Sequence, residues 1–194
     1  MLNRKGFSLI EMSVVLVIIG FILGAVTIGS DLIGNAKQKK VYTDFILPWD
    51  LAVDSYLEKS GMLLGDKNHV GKFSASQQEI LDALKRYGIT PPATNRDSSF
   101  EELYSGGNTS AVITLHFAYS TKLDLENNTI IGNGFQLTSN ASSFPTQLAI
   151  SLDTAIDGEE NATEGLFIDT SATTAGQKKW SGSVTPFYRM DSTR

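Results

Sequence analysis

Arg4-Lys5-Gly6-Phe7-Ser8-Leu9-Ile10-Glu11, running on into Met12-Ser13-Val14-Val15-Leu16-Val17-Ile18-Ile19-Gly20, governs how every later segment is read. After Arg4 and Lys5 the chain turns almost wholly apolar, and no charged residue interrupts it from Met12 to Ile28. A helix over Phe7 to Ser30 would run about 36 Å, enough to cross a hydrocarbon core of about 30 Å. One carboxylate, Glu11, stands just inside the start of this run. An acidic side chain costs on the order of 3 kcal/mol at the centre of a membrane helix and less towards its ends. Glu11 therefore calls for a partner.

A secretory signal peptide is the competing reading, with Arg4 and Lys5 as its basic start. The apolar run exceeds the roughly 7 to 15 residues of such a signal, and no small-x-small cleavage site follows it cleanly. Charge counting leaves the orientation open, because Arg4 and Lys5 precede the segment while Lys37, Lys39 and Lys40 follow it. A long C-terminal region is translocated largely regardless of such charges, which places it outside the cytoplasm.

The 194 residues leave room for one domain with a real core beside this segment. The formal charge is -5, and removal of Arg4 and Lys5 would take it to -7. An acidic chain with scattered lysines lacks the basic stripe that phosphate binding requires, so no nucleic acid is indicated. With no cysteine, disulfides, thiolate metal sites and a thiol nucleophile are excluded.

Beyond the apolar run, Tyr42, Phe45, Ile46, Trp49, Val53 and Tyr56 recur at spacings of three and four, which predicts that the helix continues with one buried face. Pro48 should kink or briefly break it, and Gly61 should end it. Ser76-Gln77-Gln78-Glu79 is a capping-box pattern that predicts a helix over Gln77 to Tyr87. Phe100 to Tyr104 reads as one more helical turn. Short β-branched and aromatic runs then predict strands at Ala111 to Tyr119, Thr129 to Ile131, Phe135 to Thr138, Gln147 to Leu152, Leu166 to Ile168 and Val184 to Tyr188, with Gly132-Asn133-Gly134 as a turn. The expected architecture is α+β: a long N-terminal helix, its first half projecting, its second half laid on an antiparallel sheet.

Arg4 to Glu11 with the Val14 to Gly20 run closely resembles the class III signal of type IV prepilins and type II secretion pseudopilins. The resemblance implies a pilin-like fold, a leader at 1–6, a transmembrane and assembly helix at 7–34, and a periplasmic globular domain at 35–194. It further implies cleavage between Gly6 and Phe7 by a prepilin peptidase and N-methylation of the new Phe7 amine. Glu11 would then meet the Phe7 amine of a neighbouring subunit in a helix bundle. The implied partners are other pilin or pseudopilin subunits, an inner-membrane assembly platform and membrane lipid. Many such helices carry a central proline; this one has Gly20, Gly24 and Gly29 instead, and Gly20 with Gly24 forms a small-xxx-small pair that admits a close helix.

Tyr56 to Asp66 resembles a second pattern of one prepilin-like group, in which the helix ends in a Leu-Pro-Gly-Asp turn; here Leu64 stands for the proline. Asp153 to Gly165 resembles an acidic segment of the same group. Asp153, Asp157, Glu159, Glu160, Asn161 and Glu164 offer the hard oxygen donors that calcium takes, although the EF-hand order is absent. The alternative, favoured by the frequency of such turns, is that Asp153 and Asp157 cap backbone amides.

His69 and His116 have no second imidazole at metal-ligand spacing, so zinc is not expected. No serine elbow or glycine-rich phosphate loop argues for an enzyme. Trp49 and Trp180 read as packing residues, and the sequons at Asn108, Asn127, Asn140 and Asn161 as coincidental. The expectation is a non-enzymatic filament subunit, a minor pilin or pseudopilin. The alternative is a membrane-tethered, calcium-stabilised periplasmic binding domain outside any filament.

Overall fold

The structure is a computed structural model that describes residues 8–66, 68, 70–106, 109–120, 132–172 and 179–190. It comprises two units, Met1–Ala36 and Lys37–Arg194. Gly6, Phe7, His69, Asn108, Asn127 and the expected strand Thr129 to Ile131 lie outside the described residues.

Within the first unit the chain is helical from Leu9, as part of α1 (Leu9–Val41). Its apolar side chains are open, with Leu9 92 % and Phe21 79 % exposed. The few polar groups are satisfied locally: the Ser13 hydroxyl donates to the Ile10 carbonyl at 2.8 Å and that of Thr27 to the Gly24 carbonyl at 2.9 Å. A helix that is apolar all round and turns the hydroxyls of Ser13 and Thr27 back onto its own carbonyls is suited to lipid or to a bundle of like helices, not to water.

In the second unit the helix continues through Tyr42–Ile46 and then α2 (Leu47–Ser60). Pro48 does not break the helix. Instead, Tyr42–Ile46 forms one widened π-turn, in which the Leu47 N–H donates to the Tyr42 carbonyl five residues back. The wider turn absorbs the missing proline N–H and the crowding of the Asp44 carbonyl that a normal turn would suffer. Gly61, at φ 67°, ends the helix as expected.

The sheet is antiparallel in the order β1-β2-β3-β5-β4, from β1 (Glu101–Gly106), β2 (Thr109–Ser120), β3 (Gly132–Ser139), β4 (Phe167–Asp169) and β5 (Pro186–Arg189). The buried face of the π-turn and α2 supplies Phe45, Ile46, Trp49 and Val53 to the core. Trp49 stacks on Phe100 with ring centroids 4.6 Å apart and meets Phe117 edge-on at 5.5 Å, while its indole N–H donates to the Ser99 carbonyl at 2.8 Å. At the start of this unit Gln38 is buried, accepting from the Ser151 hydroxyl and donating to the Tyr104 hydroxyl. The helix α3 (Gln77–Arg86) carries the expected capping box, with Ser76 and Glu79 bonded reciprocally.

Three expectations are corrected. Phe100 to Tyr104 is not a helical turn; Glu101–Gly106 is a strand, in which Glu102 and Tyr104 point inward at period two beside buried Phe100. Gly132-Asn133-Gly134 is not a turn but the start of β3, paired with Ser120, Tyr119 and Ala118. Gln147 to Leu152 is not a strand; it lies in α4 (Thr146–Asp157), which buries Leu148, Ala149, Leu152 and Asp153 at helical spacing. A short apolar run fits either period, and here packing selects the helix.

The Leu64-Gly65-Asp66 turn is held by its carboxylate. Asp66 Oδ1 accepts from the amides of Asn68 (3.2 Å) and Val70 (3.1 Å), and Oδ2 from that of Gly71 (2.6 Å). Buried Asn133 ties this loop to β3, donating to the Gly71 carbonyl and accepting from the Phe73 amide. Asp66→Ala should lower stability by about 1–2 kcal/mol, because water can replace part of three exposed charge-assisted bonds. Urea unfolding of the full chain in detergent checks this, and an unchanged midpoint would remove Asp66 from the account of the loop.

Candidate assembly site at the helix N-terminus

Ser8 precedes the first residue of α1, and Glu11 lies three residues further on. The Ser8 amide donates to Glu11 Oε2 at 2.8 Å, and the Glu11 amide to Ser8 Oγ at 3.4 Å. This is a reciprocal cap of two otherwise orphaned amides. It also holds the carboxylate at the positive end of the helix dipole. Glu11 thus has an internal partner within the first unit, a role that was written in the Ser-x-x-Glu spacing of residues 8 to 11 and was not foreseen there. The cap leaves Glu11 exposed.

Two turns on, Gly20 and Gly24 share an apolar groove with Val17, Phe21 and Ala25. A Cβ added at either glycine would meet nothing within 4 Å. Neither glycine is required by contacts inside this chain.

The structure does not make a calcium site of the acidic segment. Asp153 Oδ2 accepts from the Asn161 amide at 2.7 Å and the Trp180 indole at 2.6 Å. Asp157 accepts from the amides of Leu166 and Phe167, both at 2.9 Å, and Asn161 donates to Glu164 at 2.9 Å. Glu159 and Glu160 are exposed. Among the described residues no three acidic or imidazole side chains come together as a metal would need. Asp153 and Asp157 thus cap backbone amides, as the alternative reading of the segment has it, and these hydrogen bonds close the loop. Burial pushes the Asp153 carboxyl up to about 6, against the downward pull of Trp180 and Asn161, and neighbouring Asp157 pushes it further up. His116 faces Thr138 across two strands at 3.1 Å, on the exposed side of the sheet.

The chain start decides the reading. Residues 1–27 match the family described as the prokaryotic N-terminal methylation motif. The chain carries a prepilin signal. The match covers the residues that bear the resemblance, Arg4 to Glu11 and the Val14 to Gly20 run, and it extends over the part of α1 that holds Glu11, Gly20 and Gly24. No curated protein and no solved structure matches the chain. The prepilin signal takes in the start of a helix long and apolar enough to cross a membrane, and an α+β unit with a five-stranded antiparallel sheet follows in the chain. Such a signal implies processing by a prepilin peptidase and assembly with other pilin subunits.

Proposed function

We propose that the chain is a non-enzymatic structural subunit, a minor pilin or pseudopilin, of a type IV pilus or a type II secretion pseudopilus. The observation that carries this reading is the prepilin signal at residues 1–27, set directly on an exposed apolar helix. Cleavage between Gly6 and Phe7 removes the basic leader and creates an amine, and methylation keeps that amine basic. The subunit waits in the inner membrane with residues 35–194 on the periplasmic side. It is then drawn into a helix bundle by the assembly platform, where Glu11 of one subunit meets the Phe7 amine of another. The lipid-exposed helix needs no large change for this transfer, because bilayer and bundle are both apolar surroundings.

Co-expression with a prepilin peptidase tests the reading. The purified chain is expected to begin at Phe7 and to carry the mass of one added methyl group, whereas cells lacking the peptidase should yield a chain that retains residues 1–6. Cleavage elsewhere, or an intact Met1 with the peptidase present, would remove the basis for the proposal.

A further inference from the structure

Asp153 is fully buried in α4, and its two oxygens are treated differently. Oδ2 takes two donors, the Asn161 amide and the Trp180 indole, whereas Oδ1 has no hydrogen-bond donor among the described residues. One helical turn on, Asp157 spends both oxygens on the backbone amides of Leu166 and Phe167, in the same loop that supplies the Asn161 amide to Asp153. Two carboxylates four residues apart on one helix face cannot both be ionised cheaply when one is buried. A single proton on Oδ1, donated to Asp157, gives the bare oxygen a bond and removes the repulsion.

We propose that Asp153 and Asp157 share one proton, forming a protonated clasp that pins the Trp180 segment against α4. Trp180 leads out of the long connection between β4 and β5. Its ring packs on Phe167 with centroids 5.3 Å apart, and its indole N–H holds the same carboxyl. The neck of that connection is tied separately, by Asp169 to the Thr185 and Ser171 amides and by Thr170 to the Thr185 carbonyl. The clasp therefore acts on the Trp180 limb and not on the whole connection.

The titratable groups that bear on the pair come from each element around it. Glu164 acts through Asn161. From the π-turn comes the Tyr42 phenol, itself raised by burial and by the charges of Asp50 and Asp157. Lys179 is exposed beside Trp180 in the chain. Burial and Asp157 together favour the neutral form of Asp153, whose carboxyl is pushed up to about 6 from an ordinary 3.8. The folded state then holds the proton more tightly than the unfolded state. The stabilisation is complete below about pH 4 and is lost as pH rises through about 6. The proton fills the place that the acidic sequence had suggested for calcium.

The test compares the full chain in detergent with Asp153→Asn, whose amide can donate to Asp157 at every pH while its oxygen still accepts from Asn161 and Trp180. The unfolding constant of the parent relative to the variant is expected to rise by up to about a hundredfold between pH 4 and 8, following the shift of about two units. A ratio that stays flat would overturn the proposal. Carbon-13 carboxyl titration of Asp153 in the parent decides the matter even if the variant fails to fold. A midpoint near 6 that drops in Asp157→Asn supports the shared proton, and a midpoint in the ordinary carboxylate range refutes it. Millimolar calcium chloride is the third arm: no stabilisation is expected at pH 7.5, and stabilisation of the parent alone would show that the pair holds a cation and not a proton.

Discussion

Glu11→Ala is expected to abolish filament assembly while the subunit still inserts in the membrane and keeps its folded second unit. In the proposed bundle Glu11 is the acidic half of an ion pair in apolar surroundings. Removing one partner of such a pair leaves an unpaired buried charge, the methylated amine, at a cost of about 3–5 kcal/mol. The cost recurs at every subunit, so even the low end of that range is enough to halt growth. Membrane insertion should improve slightly, since the helix loses Glu11, the one charged side chain from Phe7 to Ile28. Glu11→Gln separates the two roles of this side chain. Its amide oxygen can still accept from the Ser8 amide that now donates at 2.8 Å, but it carries no charge. Filament counts by electron microscopy, with membrane fractionation as control, read the result. Loss in both variants assigns the effect to charge, and loss in alanine alone assigns it to the cap. Normal filaments in both would sink the proposed pairing and favour the helix as a simple anchor.

Gly134→Ala is expected to destabilise the second unit by about 3 kcal/mol or more, a large share of the roughly 5–15 kcal/mol that holds a typical domain folded. Gly134 lies in β3 opposite Ala118 on one side and Arg189 on the other. A Cβ there would fall inside the contact radius of the Tyr188 carbonyl and sit 2.7 Å from the Phe187 ring. The first obstacle is backbone of the neighbouring strand, so relief requires β5 to move away and loosen its pairing with β3. Gly106→Ala makes the comparison. Its Cβ would first meet the Tyr104 ring at its hydroxyl end, a side chain and not backbone, which can shift by giving up its contact with Gln38. Urea midpoints should therefore order the chains as parent, Gly106→Ala, Gly134→Ala. Equal midpoints for the two variants would mean that β5 is not fixed against β3 as described.

Local chemistry was readable where partners lie within a few residues. Ser76 to Glu79 announced α3, Gly61 ended α2, and Ser8 to Glu11 contained a second cap in plain sight. The strands Ala111 to Tyr119, Phe135 to Thr138, Leu166 to Ile168 and Val184 to Tyr188 were placed near their true positions, because β-branched and aromatic residues crowd a helix and suit a pleated surface. The failures share one cause, a partner distant in sequence. Gly132 and Gly134 carry the composition of a turn, yet Gly134 is glycine because Tyr188 and Phe187 pass close by. Phe100 to Tyr104 needed β2 beside it before period two could show. Gln147 to Leu152 is too short an apolar run to declare its period. In Asp153 to Gly165 the oxygen count suggested calcium, whereas Trp180, 27 residues beyond Asp153, takes up the buried carboxyl.

The first thirty residues are the part that linear order describes: a prepilin signal over residues 1–27, a Ser-x-x-Glu cap and a long apolar run are one-dimensional features, legible because no partner distant in sequence is needed to recognise them. The second unit is different. Its α+β class follows from hydrophobic periods, but the wide turn before Pro48, the membership of Gly134 in a strand and the closed Asp153 site were set by contacts across the fold. Burial and close approach are properties of neighbours that linear order does not name, and they alone fix which polar group needs a proton, an amide or no side chain at all.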